Sequence, residues 1–205
     1  MADLITILPE LPDKDGFNPA AHIPFGVTTE HIHLAMLDFT DFLKVIDQQL
    51  QDRGMPTLEN TMMQANFSSL VGEMMAARIP VWCKTVAKNQ YHNGHPDMLP
   101  AGKYPNNAAQ HAGNDGIEIK ASRYSQGWQG HNAEDVWLMV FVFQSGREGP
   151  KVKKTQAFKF LLVAGALLSA FAAASRPVMP YAAWSSADFV QNNRGQNISQ
   201  SEFKS

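Results

Sequence analysis

The stretch Gly116-Ile117-Glu118-Ile119-Lys120-Ala121-Ser122 predicts a short β-strand. Successive side chains of a strand point to opposite faces. The apolar side chains therefore share one face and the polar ones share the other: Ile117, Ile119 and Ala121 against Glu118, Lys120 and Ser122. Such a strand buries its apolar face and places a carboxylate beside an ammonium group. That pattern is typical of a surface strand, and also of a site that holds a metal ion next to a cation acting on water.

Composition indicates a globular protein of one domain. The chain has 205 residues, of which 44% are hydrophobic and 18% charged, so it can bury a core and is not disordered. The net charge of -2 argues against a nonspecific nucleic-acid coat protein, but it does not exclude a nuclease whose basic groups cluster. Cys83 is the single cysteine, which excludes an internal disulfide and a Cys-based zinc cage.

The sequence predicts no signal peptide and no membrane-spanning segment. Residues 1–12 lack the basic start and apolar core of a signal peptide, so we expect a cytoplasmic protein without a membrane partner. The longest apolar run, residues 160–174, is shorter than the roughly 20 residues that span a bilayer. It is better interpreted as a buried strand that runs into an Ala-rich helix or turn.

Two helices are predicted in the first half of the chain. Thr28 or Thr29 offers an N-cap for a helix to about residue 53, with an apolar stripe at three- and four-residue steps. A second helix is expected from Thr57 to residue 79, ending at Pro80. Glu73 lies within its apolar pattern, where an ionised carboxylate needs a partner. It is expected either on the solvent-exposed edge of the helix, or paired with Arg78, or directed at a metal site.

The second half predicts a sheet. Strands are expected at 81–86, around Asp97 to Leu99, at 116–122, at 136–143 and at 157–163, and the fourth reads as a central strand covered on both faces. The prediction is therefore an α/β fold, bordering on α+β, with a mixed sheet of about five strands against two N-terminal helices. We expect an irregular arm over residues 1–27, one domain over 28–190 and a flexible tail over 191–205.

Pro96-Asp97, about 20 residues before Glu118-Ile119-Lys120, resembles the PD-(D/E)xK signature of the restriction endonuclease-like nucleases. The resemblance covers roughly residues 68–143. It implies that Asp97, Glu118 and the carbonyl of Ile119 hold Mg²⁺ or Mn²⁺, and that Lys120 positions the attacking water. It also implies a catalytic role for Glu73, DNA as the substrate and a homodimer.

The residues themselves agree with this chemistry. Phosphodiester hydrolysis needs a nucleophilic water and neutralisation of the phosphate, and a divalent ion assists both. Mg²⁺ keeps several waters and binds one or two protein carboxylates, which Asp97 and Glu118 can supply if their strands are neighbours. Asp115 is either a third ligand or the acceptor of an Asn-Asp-Gly turn.

Polar loops around the strand are candidates for DNA contacts. Amide and Arg side chains can read base edges, and Trp can stack. The candidates of this kind are Ser122, Arg123, Gln126, Trp128, Gln129, His131 and Asn132. Basic residues either contact phosphates or form a solvated turn: Lys103, Arg147, Lys151, Lys153 and Lys154.

Two alternatives remain open. The first is a zinc or manganese hydrolase built from residues that flank the same strands: His92, His95, Asp97, His111 and His131. The second is a non-catalytic binding or assembly module of the same fold, against which the complete set of Asp97, Glu118 and Lys120 argues. No P-loop, dinucleotide glycine fingerprint or nucleophile elbow appears in the sequence.

Overall fold

A computed structural model describes residues 8–124, 135–144, 157–168 and 189–190. Its helices are α1 (Thr29–Gln51), α2 (Leu58–Thr61) and α3 (Gln64–Trp82), with short 3₁₀ turns at Pro24–Gly26 and Pro105–Asn107. Its strands are β1 (Val86–Lys88), β2 (Met98–Pro100), β3 (Ile117–Ser122), β4 (Val136–Gln144), β5 (Lys159–Leu168) and β6 (Phe189–Val190). The predicted mixed α/β class is confirmed. Within these ranges, no helix has both the length and the apolar character needed to cross a membrane.

The strands form one mixed sheet in the order β1-β2-β3-β4-β5-β6. Strands β3 and β4 run parallel over six residue pairs, from Ile117 opposite Trp137 to Ser122 opposite Val142. The other neighbouring strands are antiparallel. Strands β2 and β3 pair at only one position, Met98 opposite Ile117. The sheet therefore has a seam at which two neighbouring strands separate after a single pair.

Helices α1 and α3 cover the face of the sheet that carries Ile117 and Ile119. Aromatic rings fill the space between them, and five of these are fully buried: Phe39, Phe67, Phe141, Phe143 and Phe160. The opposite face of β4 and β5 is buried too, through Leu138, Val140, Val142, Leu162 and Ala164. The prediction that β4 is a central strand covered on both faces is therefore confirmed.

Helix α1 begins where its cap predicts. The Thr28 hydroxyl accepts a hydrogen bond from the His31 N–H (3.3 Å), and the Thr28 N–H donates to the His31 ring (3.2 Å). This reciprocal pair satisfies backbone groups that the first turn leaves unpaired. The predicted stripe faces the core, since Ile32, Met36 and Phe39 are buried.

The second predicted helix begins at the expected N-cap, Thr57, but it is interrupted after one turn. Met62 and Met63 adopt extended backbone conformations and divide the stretch into α2 and α3. Asp47 of α1 supplies the cap that α2 needs, because its Oδ1 accepts a hydrogen bond from the Leu58 N–H (2.7 Å). A contact between residues eleven apart thus decides a helix boundary.

The second predicted helix is also wrong at its end. Helix α3 continues through Pro80 to Trp82, so the expected strand at 81–86 starts only at Val86. The Cys83 N–H donates to the Ile79 carbonyl (2.8 Å), and the Trp82 indole donates to Asp38 of α1 (2.7 Å). These bonds hold the last turn helical although proline disfavours the conformation of the residue before it.

The arm before α1 packs on the domain. Over residues 8–27 it has no helix or strand beyond the 3₁₀ turn, as predicted. Its Ile23 and Val27 are nevertheless buried in the core, and the Glu10 N–H donates to the carbonyl of Phe158 (2.8 Å). The arm therefore adds apolar surface to the core next to the sheet.

Candidate metal centre

The seam between β2 and β3 is closed by a side chain. Continuing the antiparallel register from Met98 opposite Ile117 would place Asp97 opposite Glu118. The ladder stops there, and the Ile119 N–H donates instead to Oδ2 of Asp97 (2.7 Å). Asp97, which directly precedes β2, thus reaches the backbone of β3 through its carboxylate.

The direction of this bond also indicates where the Ile119 carbonyl points. The N–H and C=O groups of one strand residue point to the same side of the strand. Since the Ile119 N–H points toward Asp97, its carbonyl is directed to the same side. The backbone oxygen that the resemblance assigns to the metal therefore faces the seam with the Asp97 carboxylate.

Glu118 and Lys120 share the face predicted for them. Lys120 Nζ lies 2.7 Å from Oε1 of Glu118, and Nδ1 of His95 lies 3.2 Å from Oε2. The Glu118 side chain is only 9% exposed. Burial tends to raise the pKa of Glu118, but the Lys120 ammonium and the His95 ring outweigh burial and hold that pKa below its usual value. Glu118 is therefore ionised and oriented from both oxygens.

The electrostatics of Asp97 are the opposite of those of Glu118. Burial, and then the negative charge of Glu118, raise the pKa of Asp97 to about 7, against the opposing effects of the Ile119 N–H and of Lys120. Glu73 adds a smaller increase. Asp97 and Glu118 are thus close enough to repel each other inside a half-buried seam. A divalent cation between two such carboxylates would remove the repulsion.

Glu73 lies at the rim of this cluster. Helix α3 approaches β3 closely at Gly72, where an added Cβ would lie 3.9 Å from the Ala121 nitrogen. Glu73 follows with a side chain that is 64% exposed, and its Oε2 lies 2.6 Å from Nζ of Lys88 on β1. This exposure agrees with the expected position on the solvent-exposed edge of the helix, whereas the expected pairing with Arg78 is wrong, because Arg78 pairs with Asp38. The pairing of Lys88 with Glu73 could not be predicted from the sequence, since it depends on β1 lying beside α3.

Two residues that the sequence did not predict as part of the site, Asn89 and Gly116, build the seam. The buried Asn89 side chain donates to the carbonyls of Pro96 (3.0 Å) and Ala109 (2.7 Å), and it accepts from the N–H groups of Tyr91 and Ala109. An added Cβ on Gly116 would lie 2.2 Å from the Met98 carbonyl oxygen and 2.4 Å from Cγ of Pro96. Asn89 and Gly116 together hold Pro96-Asp97 against β3.

The other predicted site residues are placed differently. Asp115 accepts a hydrogen bond from the Tyr104 hydroxyl (2.7 Å) and pairs with Lys103 (2.7 Å), which hold the pKa of Asp115 below its usual value. The structure does not bring Asp115 to Asp97 and Glu118 as a third ligand. Ser122 and Arg123 are half-buried at the end of β3. The remaining predicted DNA contacts lie outside the described residues: Gln126, Trp128, Gln129, His131, Asn132, Arg147, Lys151, Lys153 and Lys154.

The histidines do not form a zinc site within the described ranges. No group of three His, Cys, Asp or Glu side chains in those ranges is arranged to hold a metal ion. A catalytic zinc takes three such ligands, whereas Mg²⁺ takes one or two carboxylates and keeps its waters. His92 and His111 are exposed, and the His111 ring lies parallel to His95 with ring centres 6.4 Å apart.

Comparison with family models, with curated proteins and with solved structures gives no match. Function must therefore be argued from the chemistry of the seam.

Proposed function

We propose that the protein is a Mg²⁺-dependent endonuclease that hydrolyses phosphodiester bonds in DNA, with Mn²⁺ as a possible substitute metal. One observation carries the proposal. The Asp97 carboxylate, from the segment before β2, accepts a hydrogen bond from the backbone of β3 between Glu118 and Lys120, where β2 and β3 separate.

The donor set suits a hard divalent cation. Two carboxylates and the backbone carbonyl of Ile119 offer oxygen atoms on one side of β3, and Mg²⁺ prefers oxygen ligands. Burial, and then repulsion by Glu118, raise the pKa of Asp97, and a bound cation would relieve that repulsion. When bound, the cation would neutralise the scissile phosphate and polarise a water molecule.

Lys120 is suited to act on that water. Its ammonium group is fixed by Glu118 rather than free in solvent, and its side chain is only 26% exposed. A positive charge held beside a metal ligand can orient a nucleophile and stabilise charge that develops in the transition state, with little reorganisation. Glu73, at the rim beside Lys88, is the further carboxylate of the proposed site.

The choice of DNA and of a homodimer rests on the resemblance of Pro96-Asp97 and Glu118-Ile119-Lys120 to the PD-(D/E)xK signature. Ser122 ends the same strand beyond Lys120 and Arg123 follows it, a position that suits contacts to a bound nucleic acid. The dimer would present two such strands to the two strands of a duplex.

A second candidate, a non-catalytic binding module, also has one observation in its favour. Both oxygens of Glu118 already have cationic or ring N–H partners, Lys120 and His95. An ion-paired cluster of this kind can simply stabilise a fold. Cleavage and metal dependence separate the two candidates.

The test is cleavage of supercoiled plasmid DNA by the purified chain with Mg²⁺ or Mn²⁺. We expect Glu118→Gln and Lys120→Ala each to lower the rate by about 100-fold or more, because each removes a fixed charge at the reacting phosphate. Lys44→Ala is the matched control, since Lys44 is exposed on α1. The wild-type rate is expected for this control.

Glu118→Gln also serves as a control for contaminating nuclease. Its side chain has nearly the same shape as that of the wild type, so cleavage that remains in a preparation of this variant measures the contaminant. Wild-type cleavage by Lys120→Ala would contradict the assigned mechanism. An inactive wild-type chain that binds DNA without metal would favour the binding module.

A further inference from the structure

Among the described residues that pair with the Glu118 carboxylate, His95 is the one to which the proposed function gives no role. Its Nδ1 lies 3.2 Å from Oε2 of Glu118, on the side of the carboxylate opposite the contact between Lys120 and Oε1. The geometry points to His95 as a positioning residue that orients the metal-binding carboxylate of Glu118. This inference rests on the proposed function.

The chemistry of the contact assigns its donor. An ionised carboxylate only accepts hydrogen bonds, so the proton between the two groups belongs to Nδ1 of His95. A neutral imidazole that donates from Nδ1 has its acceptor at Nε2. The nitrogen that faces Glu118 therefore donates to the carboxylate instead of coordinating the cation, so this contact acts on the cation through Glu118.

The backbone of His95 is fixed from both sides. Its N–H donates to the carbonyl of Gln110 (2.9 Å), and its carbonyl accepts from the N–H of Ala112 (2.8 Å). These two bonds fix the backbone from which the His95 ring projects, two residues before Asp97. One short segment thus supplies one candidate ligand, Asp97, and the partner that orients the other, Glu118.

The orientation of Glu118 by His95 should favour cation binding. A carboxylate that is held before the cation arrives loses less conformational freedom on binding. Hydrogen-bond partners of metal ligands commonly contribute 10- to 100-fold to metal affinity. Loss of the His95 ring should therefore lower the affinity for the cation and leave most of the fold intact.

The test is isothermal titration of the full-length chain with Mn²⁺. We expect His95→Ala to bind Mn²⁺ about 10- to 100-fold more weakly than the wild type. His95→Asn should recover much of the affinity, because its Nδ2 occupies nearly the position of the ring Nδ1 and can donate the same bond. His92→Ala is the matched control, since His92 is exposed in the same turn and should bind as the wild type does.

The outcomes are distinguishable. Equal affinity of His95→Ala and the wild type would overturn the inference and leave the proposed function standing. A His95→Asn chain as weak as His95→Ala would overturn the hydrogen-bond role. A wild type that binds no Mn²⁺ would remove the proposed function, and the inference with it.

A readout without metal keeps the test independent of the folding of the alanine variant. Long-range ¹H–¹⁵N spectra of the wild type should show the His95 ring protonated at Nδ1. Protonation at Nε2 alone would contradict the inferred hydrogen bond.

Discussion

Replacing Gly116 by alanine should separate β2 from β3 and so test the seam directly. The added Cβ would lie 2.2 Å from the Met98 carbonyl oxygen and 2.4 Å from Cγ of Pro96, whereas real Cβ contacts are essentially never shorter than 3.0 Å. The backbone of β2 must therefore retreat by about 1 Å before the contact becomes tolerable. Overpacking of this kind in a buried site typically costs about 1–3 kcal/mol.

The displacement acts on the site as well as on stability. Pro96 and Met98 flank Asp97, so their retreat carries Asp97 away from the Ile119 N–H, to which it is bonded at 2.7 Å. We expect Gly116→Ala to weaken Mn²⁺ binding together with stability.

The assay is urea unfolding followed by circular dichroism. With a urea dependence of about 2 kcal/mol per M, a loss of about 2 kcal/mol lowers the midpoint by about 1 M. Gly72→Ala is the matched control, because its Cβ would make an ordinary 3.9 Å contact with the Ala121 nitrogen. Inside a helix, that change should gain about 0.5–1 kcal/mol. A Gly116→Ala midpoint equal to that of the wild type would refute the packing described for the seam.

Two further predictions concern buried polar groups. Asn89→Ala should cost about 3 kcal/mol or more in urea unfolding, because it leaves several buried backbone groups near Pro96 and Ala109 without partners. Burial raises the pKa of Asp47 more than the hydrogen bond from the Leu58 N–H lowers it. The folded state therefore binds this proton more tightly than the unfolded state does. Stability should consequently fall as pH rises through the pKa of the folded state. Asp47→Asn keeps an acceptor without the charge, so its unfolding free energy should vary less with pH from about pH 4 upward; an unchanged pH profile would contradict this assignment.

Local pattern was enough for several elements. Alternation of side chains predicts β3 and the shared face of Glu118 and Lys120, because neighbouring residues of a strand point to opposite sides whatever surrounds it. The Thr28 cap and the apolar stripe likewise predict α1, since both signals lie within the helix and its first turn. The apolar run of β4 predicts burial on both faces.

Pairing over long distances decided what pattern could not. The first turn of α2 is capped by Asp47 of α1, and the helical turn beyond Pro80 depends on contacts to α1. The sequence left two roles for Asp115, a metal ligand or a turn acceptor. The structure instead pairs its side chain with Lys103 and Tyr104.

The same division applies to the candidate site. The order of residues along the chain is enough to predict which side chains carry acid and base, and which of them share a face of β3. The contacts of Asp97 with Ile119 and of His95 with Glu118 could not be predicted in this way, because the register and early separation of β2 and β3 set those distances. A separation of about 20 residues along the chain carries no information about distance until two strands are paired.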